Sequence, residues 1–154
     1  MLEQVSKHSS VDIELSCKGD LEVDEHHTIE DCGIVLGEAF AKALGNKKGI
    51  DRYGFLIPMD ESSSYATLDF SGRSFCLFDC EFKKEYLGEM PTEMISHFFK
   101  SFAEGAKCTL QIQVKGENDH HKAEAAFKSL AKVLEQAVKR NPNKVSIPSS
   151  KGIL

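Results

Sequence analysis

Two stretches of the chain repeat the same order of hydrophobic and polar positions, and each predicts a β-strand followed by an α-helix. Residues 11–15 and 110–114 alternate apolar and polar side chains with a period of two, which is typical of half-buried strands. Farther along, apolar residues recur with helical spacing from 29 to 44 and from 123 to 138. The pattern therefore predicts two copies of a strand and helix unit.

Polar residues and glycines indicate where these helices begin and end. Asp24 and Asn118 precede the helices, and a short side-chain oxygen at that position can accept an N–H of the first turn. The first helix is expected to stop at Gly45 and the second near Pro142. The two copies therefore agree in their predicted boundaries as well as in their periodicity.

The segment between the copies predicts two more strands and one more helix. Residues 65–70 and 75–82 have strand character and are joined by a turn at Ser71-Gly72. Thr92 can cap a helix that contains His97. These elements, with hairpin-connected strands and amphipathic helices, predict an α+β fold in which helices cover one face of a sheet.

The histidines give the strongest evidence for an internal duplication. Four of the six form the adjacent pairs of two motifs, His26-His27-x-x-Glu30 and His120-His121-x-x-Glu124. The motifs are 120 minus 26, or 94, residues apart, the helix caps around them agree at that offset, and a predicted strand precedes each motif. We therefore predict duplicated half-domains, each a sheet covered on one face by helices.

His97 has no counterpart in the first copy. Moved back by 94 residues it falls near position 3, at or just before Met1, and residues 1–9 are expected to be the remnant of the corresponding helix. We expect one domain over residues 1–154, with an incomplete first half-repeat over about 1–60 and a second over about 61–154. The chain is accordingly expected to be shortened at its amino terminus.

Composition excludes several classes of partner. The 154 residues carry a formal net charge of -5, so the chain lacks the positive field that attracts nucleic acid or an anionic membrane. The five cysteines form no C-x-x-C pair, which favours reduced thiols over a disulfide framework. There is neither a signal-peptide pattern nor a stretch apolar enough to span a membrane. A cytoplasmic protein with no nucleic-acid or membrane partner is expected.

Helical geometry constrains how the two motifs could bind metal. Neighbouring side chains on a helix diverge by roughly 100°, so His26 and His27 cannot easily bind the same ion, whereas either can pair with Glu30. The same holds for the second motif. We predict two ions, each taking a histidine from one motif and a histidine plus a carboxylate from the other, with His97 as a further ligand. Imidazole and carboxylate ligands, together with open coordination positions on the ion, favour manganese or another first-row divalent ion, and zinc stays possible.

A second group of residues is suited to an anion. Arg52, Arg73 and Lys151 each lie close to a glycine, where a cation and exposed backbone amides could hold phosphate oxygens. Lys128 follows Glu124 by four residues and could equally form an ordinary helix ion pair. His8 stands alone, and it could be a site residue or an ordinary surface side chain.

Taken together, these segments closely resemble the imidazoleglycerol-phosphate dehydratase family over essentially the whole chain. The resemblance is carried by Gly19-Asp20, His26 through Asp31, Asp69 through Arg73, Asn118 through Glu124 and Pro148 through Gly152. It implies two Mn2+ per active site, other first-row divalent ions being possible, and the implied ligands are His26, His27, Glu30, His97, His120, His121 and Glu124. All of these except His97 are also the implied catalytic residues. The implied phosphate or substrate contacts are His8, Arg52, Arg73, Lys128, Ser149, Ser150 and Lys151.

The resemblance also implies a fold and an assembly. The fold is a duplication of the kind seen in the second domain of ribosomal protein S5, and the assembly is a twenty-four-subunit homo-oligomer with metals at subunit contacts. The family usually has a segment before Met1 with one more histidine ligand and a glutamate for proton transfer. A fusion with a histidinol-phosphate phosphatase is a further possibility, and Ser150 stands where the family commonly has threonine.

The implied activity is that of a hydro-lyase of histidine biosynthesis. Its small-molecule substrate, D-erythro-imidazole-glycerol phosphate, would lose water to give imidazole-acetol phosphate. Two alternatives stay open from the residues alone. One is a catalytically silent metal-binding or assembly subunit, and the other is a dinuclear phosphatase.

Overall fold

Two of the helices each carry a histidine pair in their first turn. In chain order the elements are α1 (Leu2–Ser9), α2 (His26–Leu44), β1 (Tyr53–Met59), β2 (Ser62–Asp69), β3 (Phe75–Asp79), β4 (Tyr86–Leu87), β5 (Met90–Pro91), α3 (Glu93–Ala106), β6 (Thr109–Lys115) and α4 (Asp119–Val138). This computed structural model describes residues 1–143 and 145–154, and for residues 54–56 it describes the backbone alone. The predicted helices are therefore confirmed, including a short helix in the segment expected to be a remnant.

The helix ends agree in part with the predicted capping chemistry, because Thr92 precedes α3 as predicted but its side chain makes no cap hydrogen bond. The Asn118 side chain accepts the backbone N–H groups of His120 and His121, so the predicted cap of α4 is confirmed. The prediction of Asp24 as the cap of α2 is wrong by one position, because Glu25 precedes the helix. The Asp24 carboxylate nevertheless accepts the N–H of His26 at 2.8 Å. Each histidine pair is thus fixed within the first turn of its helix.

The main sheet has the strand order β1-β2-β6-β3. The β2 strand pairs antiparallel with β1 and with β6, whereas β3 pairs parallel with β6. The prediction that residues 65–70 and 75–82 form a hairpin across Ser71-Gly72 is therefore wrong, because β6 lies between the two strands. A local turn does not fix strand pairing here, since α3 returns the chain so that β6 can pair with both.

The strand predicted over residues 11–15 is also wrong, because this segment has no regular secondary structure. Val11 and Ile13 are half-buried against the core, while Asp12 and Glu14 are exposed, so the alternation in burial is present. The segment lines a groove with residues of α2 and the end of α4. A strand forms when its backbone N–H and C=O groups pair with those of a neighbouring strand. The backbone groups of a neighbouring helix are already paired within that helix, so this segment alternates in burial without forming a strand.

Helices cover one face of the main sheet. Along β6 the side chains of Leu110, Ile112 and Val114 are buried while those between them are exposed, and β2 alternates in the same way. The α4 helix packs on β1, β2 and β6, α3 packs on β3 and β6, and α2 packs on α3. The predicted α+β fold class is confirmed. The division into two half-repeats stays a prediction.

All five cysteines are free thiols, and burial raises the pKa of the Cys108 thiol to about 12. Within the part of the chain that the structure describes, none of the helices combines the length and the apolar character that a bilayer crossing requires.

Three glycines allow α2 and α3 to approach each other closely. A Cβ atom added at Gly33 would lie 2.9 Å from the Phe98 carbonyl oxygen, and one added at Gly37 would lie 2.7 Å from the Ala106 backbone nitrogen. A Cβ atom at Gly105 would likewise collide with the backbone of α2. Only hydrogen fits at these positions, so the glycines set the distance between the two helices.

A Gly37→Ala substitution is expected to destabilise the protein by about 1–3 kcal/mol, the usual cost of overpacking. The added methyl group faces backbone atoms of α3, which cannot rotate away as a side chain can. Chemical denaturation monitored by circular dichroism measures the loss, with Glu38→Ala on the exposed face of α2 as the control. A Gly37→Ala variant as stable as this control would show that the helix spacing is not fixed by the glycines.

Candidate metal centre

Three predicted ligands come together where α2 and α3 meet. His26 and Glu30 lie one turn apart at the start of α2, and His97 faces them from the second turn of α3. One ligand atom from each lies within 4.8 Å of the others, and the rings of His26 and His97 are 4.7 Å apart between centroids. All three residues are half-buried. This cluster, called here the His26 triad, has the donor types and the spacing to bind a divalent cation.

His27 points away from the triad, as expected for a neighbour on a helix. Its ring centroid is 6.2 Å from that of His26, and its Nδ1 lies 3.0 Å from Asp20 Oδ2. This hydrogen bond raises the pKa of His27 and lowers the pKa of Asp20. Because a metal binds neutral imidazole, a proton and a metal ion would compete for this ring.

In the second motif, too, the two histidines lie beside different carboxylates. His120 Nε2 lies 3.8 Å from Glu124 Oε2 on the same helix, whereas His121 Nδ1 lies 2.7 Å from Glu61 Oε2 in the turn between β1 and β2. The bond to Glu61 raises the pKa of His121. The same bond, aided by the Asn118 N–H, lowers the pKa of Glu61 to about 2.

The two motifs do not share a cluster within one chain. Among residues 1–143 and 145–154, the one group of three or more histidine, cysteine or acidic residues with metal-binding spacing is the His26 triad. His27, His120, His121 and Glu124 lie outside that group. An ion held by histidines of both motifs therefore stays a prediction.

The residues predicted to bind an anion lie in different settings. Arg52 is engaged on three nitrogens: Nε and Nη2 donate to Asp69 at 2.5 and 2.9 Å, and Nη1 donates to the Pro148 carbonyl at 2.9 Å. The contact with Asp69 raises the pKa of Arg52. Arg73 is exposed, and its backbone N–H donates to Ser71 Oγ. Arg52 thus ties the β2 end, near Arg73, to the carboxyl-terminal segment.

The remaining predicted contacts are mostly exposed or paired. Lys151 is exposed and its backbone N–H donates to Ser149 Oγ at 3.2 Å, while Ser150 is exposed beside it. Lys128 forms an ion pair with Glu124 at 2.8 Å, and this pair lowers the pKa of Glu124. His8 Nε2 lies 3.1 Å from Gln4 Oε1 on α1. Their roles toward a substrate stay predictions.

A buried ion pair fixes the start of α4 and was not predicted. Lys122 Nζ lies 2.5 Å from Asp119 Oδ1, and the two side chains are 3% and 2% exposed. Asp119 Oδ2 accepts the N–H groups of Lys83 and Lys84, and Lys122 donates to the Glu81 carbonyl. Burial opposes ionisation of Asp119, but the bonds to Lys122 and to the two N–H groups outweigh it and lower the Asp119 pKa. The pair therefore anchors the second motif to the loop before β4.

Similarity to known proteins covers the entire chain. Residues 1–134 match the family model described as imidazoleglycerol-phosphate dehydratase. The chain is 55% identical over 155 residues to the histidine biosynthesis bifunctional protein HisB of Spirosoma linguale, and 54% identical over 154 residues to that of Bacteroides fragilis. Both alignments cover 100% of the chain and 41% of the relative. The chain thus spans about two fifths of the length of the curated relatives it matches.

Solved structures show the same architecture. The crystal structure of imidazoleglycerol-phosphate dehydratase from Staphylococcus aureus superposes with a TM-score of 0.84 at 34% identity, covering 91% of this chain and 80% of that one. The structure from Pyrococcus furiosus, in complex with (S)-C348, superposes with a TM-score of 0.86 at 30% identity, covering 99% and 83%.

Proposed function

Because the chain belongs to the imidazoleglycerol-phosphate dehydratase family, we propose that it is a hydro-lyase domain of histidine biosynthesis. Its substrate is D-erythro-imidazole-glycerol phosphate and its product is imidazole-acetol phosphate. The observation that carries the proposal is the His26 triad, which gathers two imidazoles and a carboxylate from two helices. The domain acts in the cytoplasm.

The donor set fits a first-row divalent cation. Two histidines and one glutamate supply the mixed nitrogen and oxygen ligands that such ions prefer, and three protein ligands leave coordination positions for substrate. We propose two Mn2+ per active site, held by seven ligands, which are the six residues of the two motifs and His97. A bound cation would supply Lewis acidity, which makes a proton on a bound azole ring easier to remove.

The active site is proposed to form between copies of the chain. The His26 triad and the second motif are separate within one chain, so an ion that takes ligands from both requires a second copy. This supports a homo-oligomer, and the family resemblance points to twenty-four subunits. The second motif of one copy would then face the triad of another.

The chain's own cations would orient the substrate through its phosphate. Arg73 and Lys151 are exposed cations on the two segments that Arg52 joins. Ser149 and Ser150 would add hydroxyl donors, while Arg52 would act by holding the two segments together. His8 and Lys128 would complete the substrate contacts. Binding energy at the phosphate would then position the carbon that loses its hydroxyl group.

Product analysis tests the proposal directly. The metal-free protein is incubated with D-erythro-imidazole-glycerol phosphate with and without Mn2+, and both imidazole-acetol phosphate and free phosphate are measured. We expect the dehydrated product, formed only with metal, and no free phosphate. Release of phosphate would indicate a dinuclear phosphatase, and metal binding without either product would indicate a silent metal-binding subunit.

A further inference from the structure

In both motifs, the Nδ1 atom of the second histidine is hydrogen-bonded to a carboxylate. In the first motif His27 Nδ1 lies 3.0 Å from Asp20 Oδ2, and in the second His121 Nδ1 lies 2.7 Å from Glu61 Oε2. An ionised carboxylate can only accept a hydrogen bond, so Nδ1 must carry the proton in both rings. The Nε2 atom of each neutral ring is then left with its lone pair available to a metal.

From this arrangement we propose that Asp20 and Glu61 are positioning residues that fix His27 and His121 as Nε2 metal ligands. The inference rests on the proposed function, because it assumes that the two histidines bind metal. Histidine ligands commonly donate their other N–H to a carboxylate, which sets both the tautomer and the ring orientation. Neither acidic residue is one of the ligands predicted from the motifs.

The internal duplication does not account for the repeated contact. Asp20 lies 26 minus 20, or 6, residues before the first histidine pair. The second carboxylate instead comes from Glu61, in the turn between β1 and β2, which lies 120 minus 61, or 59, residues before the second histidine pair. Two unrelated positions therefore supply the same group to the same ring atom, as expected if the ring orientation itself is what matters.

The Glu61 carboxylate is held in place by further contacts, and the backbone at Asp20 is held by a turn. Glu61 Oε1 accepts the Asn118 backbone N–H and the Ser62 hydroxyl, each at 2.9 Å, so the side chain is fixed at three points. Asp20 lies in a turn closed by the Val23 N–H, which donates to the Asp20 carbonyl at 2.8 Å.

Gly19 allows the loop that carries Asp20 to lie against the first turn of α2. A Cβ atom added at Gly19 would collide with Thr28 Oγ1, and Thr28 is the residue directly after His27. The absence of a side chain at position 19 therefore lets Asp20 reach the ring.

The first histidine of each pair obtains its carboxylate differently. His26 clusters with Glu30 and His120 approaches Glu124, and in both cases the glutamate lies four residues later on the same helix. The second histidine diverges from that face. Its Nδ1 partner comes from outside the helix, Asp20 for His27 and Glu61 for His121, although His27 also has Asp31 four residues later.

Manganese affinity tests the inference. Isosteric Asp20→Asn and Glu61→Gln variants of the full chain are prepared metal-free and titrated with Mn2+ in competition with a chelator. We expect roughly 10- to 100-fold weaker binding, the usual cost of losing such a partner. Glu22→Gln and Glu117→Gln remove the same charge at nearby exposed positions, and they are expected to bind within about twofold of the unmodified protein. Light scattering and melting temperature verify equal assembly and folding.

The outcomes separate this inference from the function on which it rests. Loss of affinity in Asp20→Asn and Glu61→Gln, with the controls unchanged, supports the positioning role. If all four variants bind Mn2+ as the unmodified protein does, the positioning role is overturned while the proposed function stands. If the unmodified protein itself binds no Mn2+, the proposed function falls, and the inference falls with it.

Discussion

Replacing His97 with alanine is expected to weaken Mn2+ binding and dehydratase turnover by more than about 100-fold. The loss of a partner behind a metal ligand already costs about 10- to 100-fold, and His97 is proposed as a ligand itself. Its ring lies 4.7 Å from that of His26 and supplies the one member of the His26 triad that α2 does not carry. Without it, the His26 triad keeps one imidazole and one carboxylate, and the ion loses one of the ligands proposed to hold it.

Lys100→Ala provides the matched control on the same helix. Lys100 is exposed and lies one turn after His97, so its loss changes α3 without touching the triad. Elemental analysis of the dialysed protein and the rate of product formation are measured on both variants. A His97→Ala protein with full metal content and normal turnover would remove His97 from the metal site.

The helices and their ends were predictable because the signals that define them are local. Asn118 caps α4 through bonds to residues two and three positions later, and Gly45 ends α2 with a φ of +56°. A short polar side chain or a glycine at such a position acts within a few residues. The residues at each of these helix ends therefore predict where the helix begins or stops.

Strand pairing was less predictable because it depends on partners distant in sequence. The alternation persists in burial over residues 11–14, while Leu15 is exposed, yet the segment lies against helices and has no ladder. Likewise the turn at Ser71-Gly72 does not bring β2 and β3 together, since β6 pairs with both. Periodicity indicates which face is buried and leaves open which strand lies beside it.

The candidate site likewise combines contacts that the sequence pattern predicts with contacts that it does not predict. His26 and Glu30 are brought together by helix geometry alone, so their proximity follows from spacing. Glu61 reaches His121 across 60 residues, and Arg52 meets Asp69 because the register places Tyr53 opposite Asp69. Such contacts depend on the path of the chain, and no periodic pattern in the sequence marks them.

Lys122→Met is expected to destabilise the protein by about 3–5 kcal/mol, because it leaves a buried carboxylate without its cation. Asp119 would keep its bonds to the Lys83 and Lys84 N–H groups, but the charge-assisted partner at 2.5 Å would be gone. Lys132→Met is the control, because Lys132 also forms an i,i+3 pair on α4, with Glu135 at 2.8 Å. That pair is about one-third exposed, so its loss should cost less than about 1 kcal/mol.

The destabilisation by Lys122→Met should also depend on pH. The Asp119 pKa is lowered from its usual 3.8 in the folded protein, so the pair contributes stability above that value and loses it as pH falls through the folded pKa. The difference between Lys122→Met and the unmodified protein should therefore be largest near neutral pH and shrink below about pH 4. Urea denaturation across this range measures it. Equal losses for Lys122→Met and Lys132→Met at neutral pH would mean that the buried pair does not anchor the start of α4, and the orientation of the second motif would then need another cause.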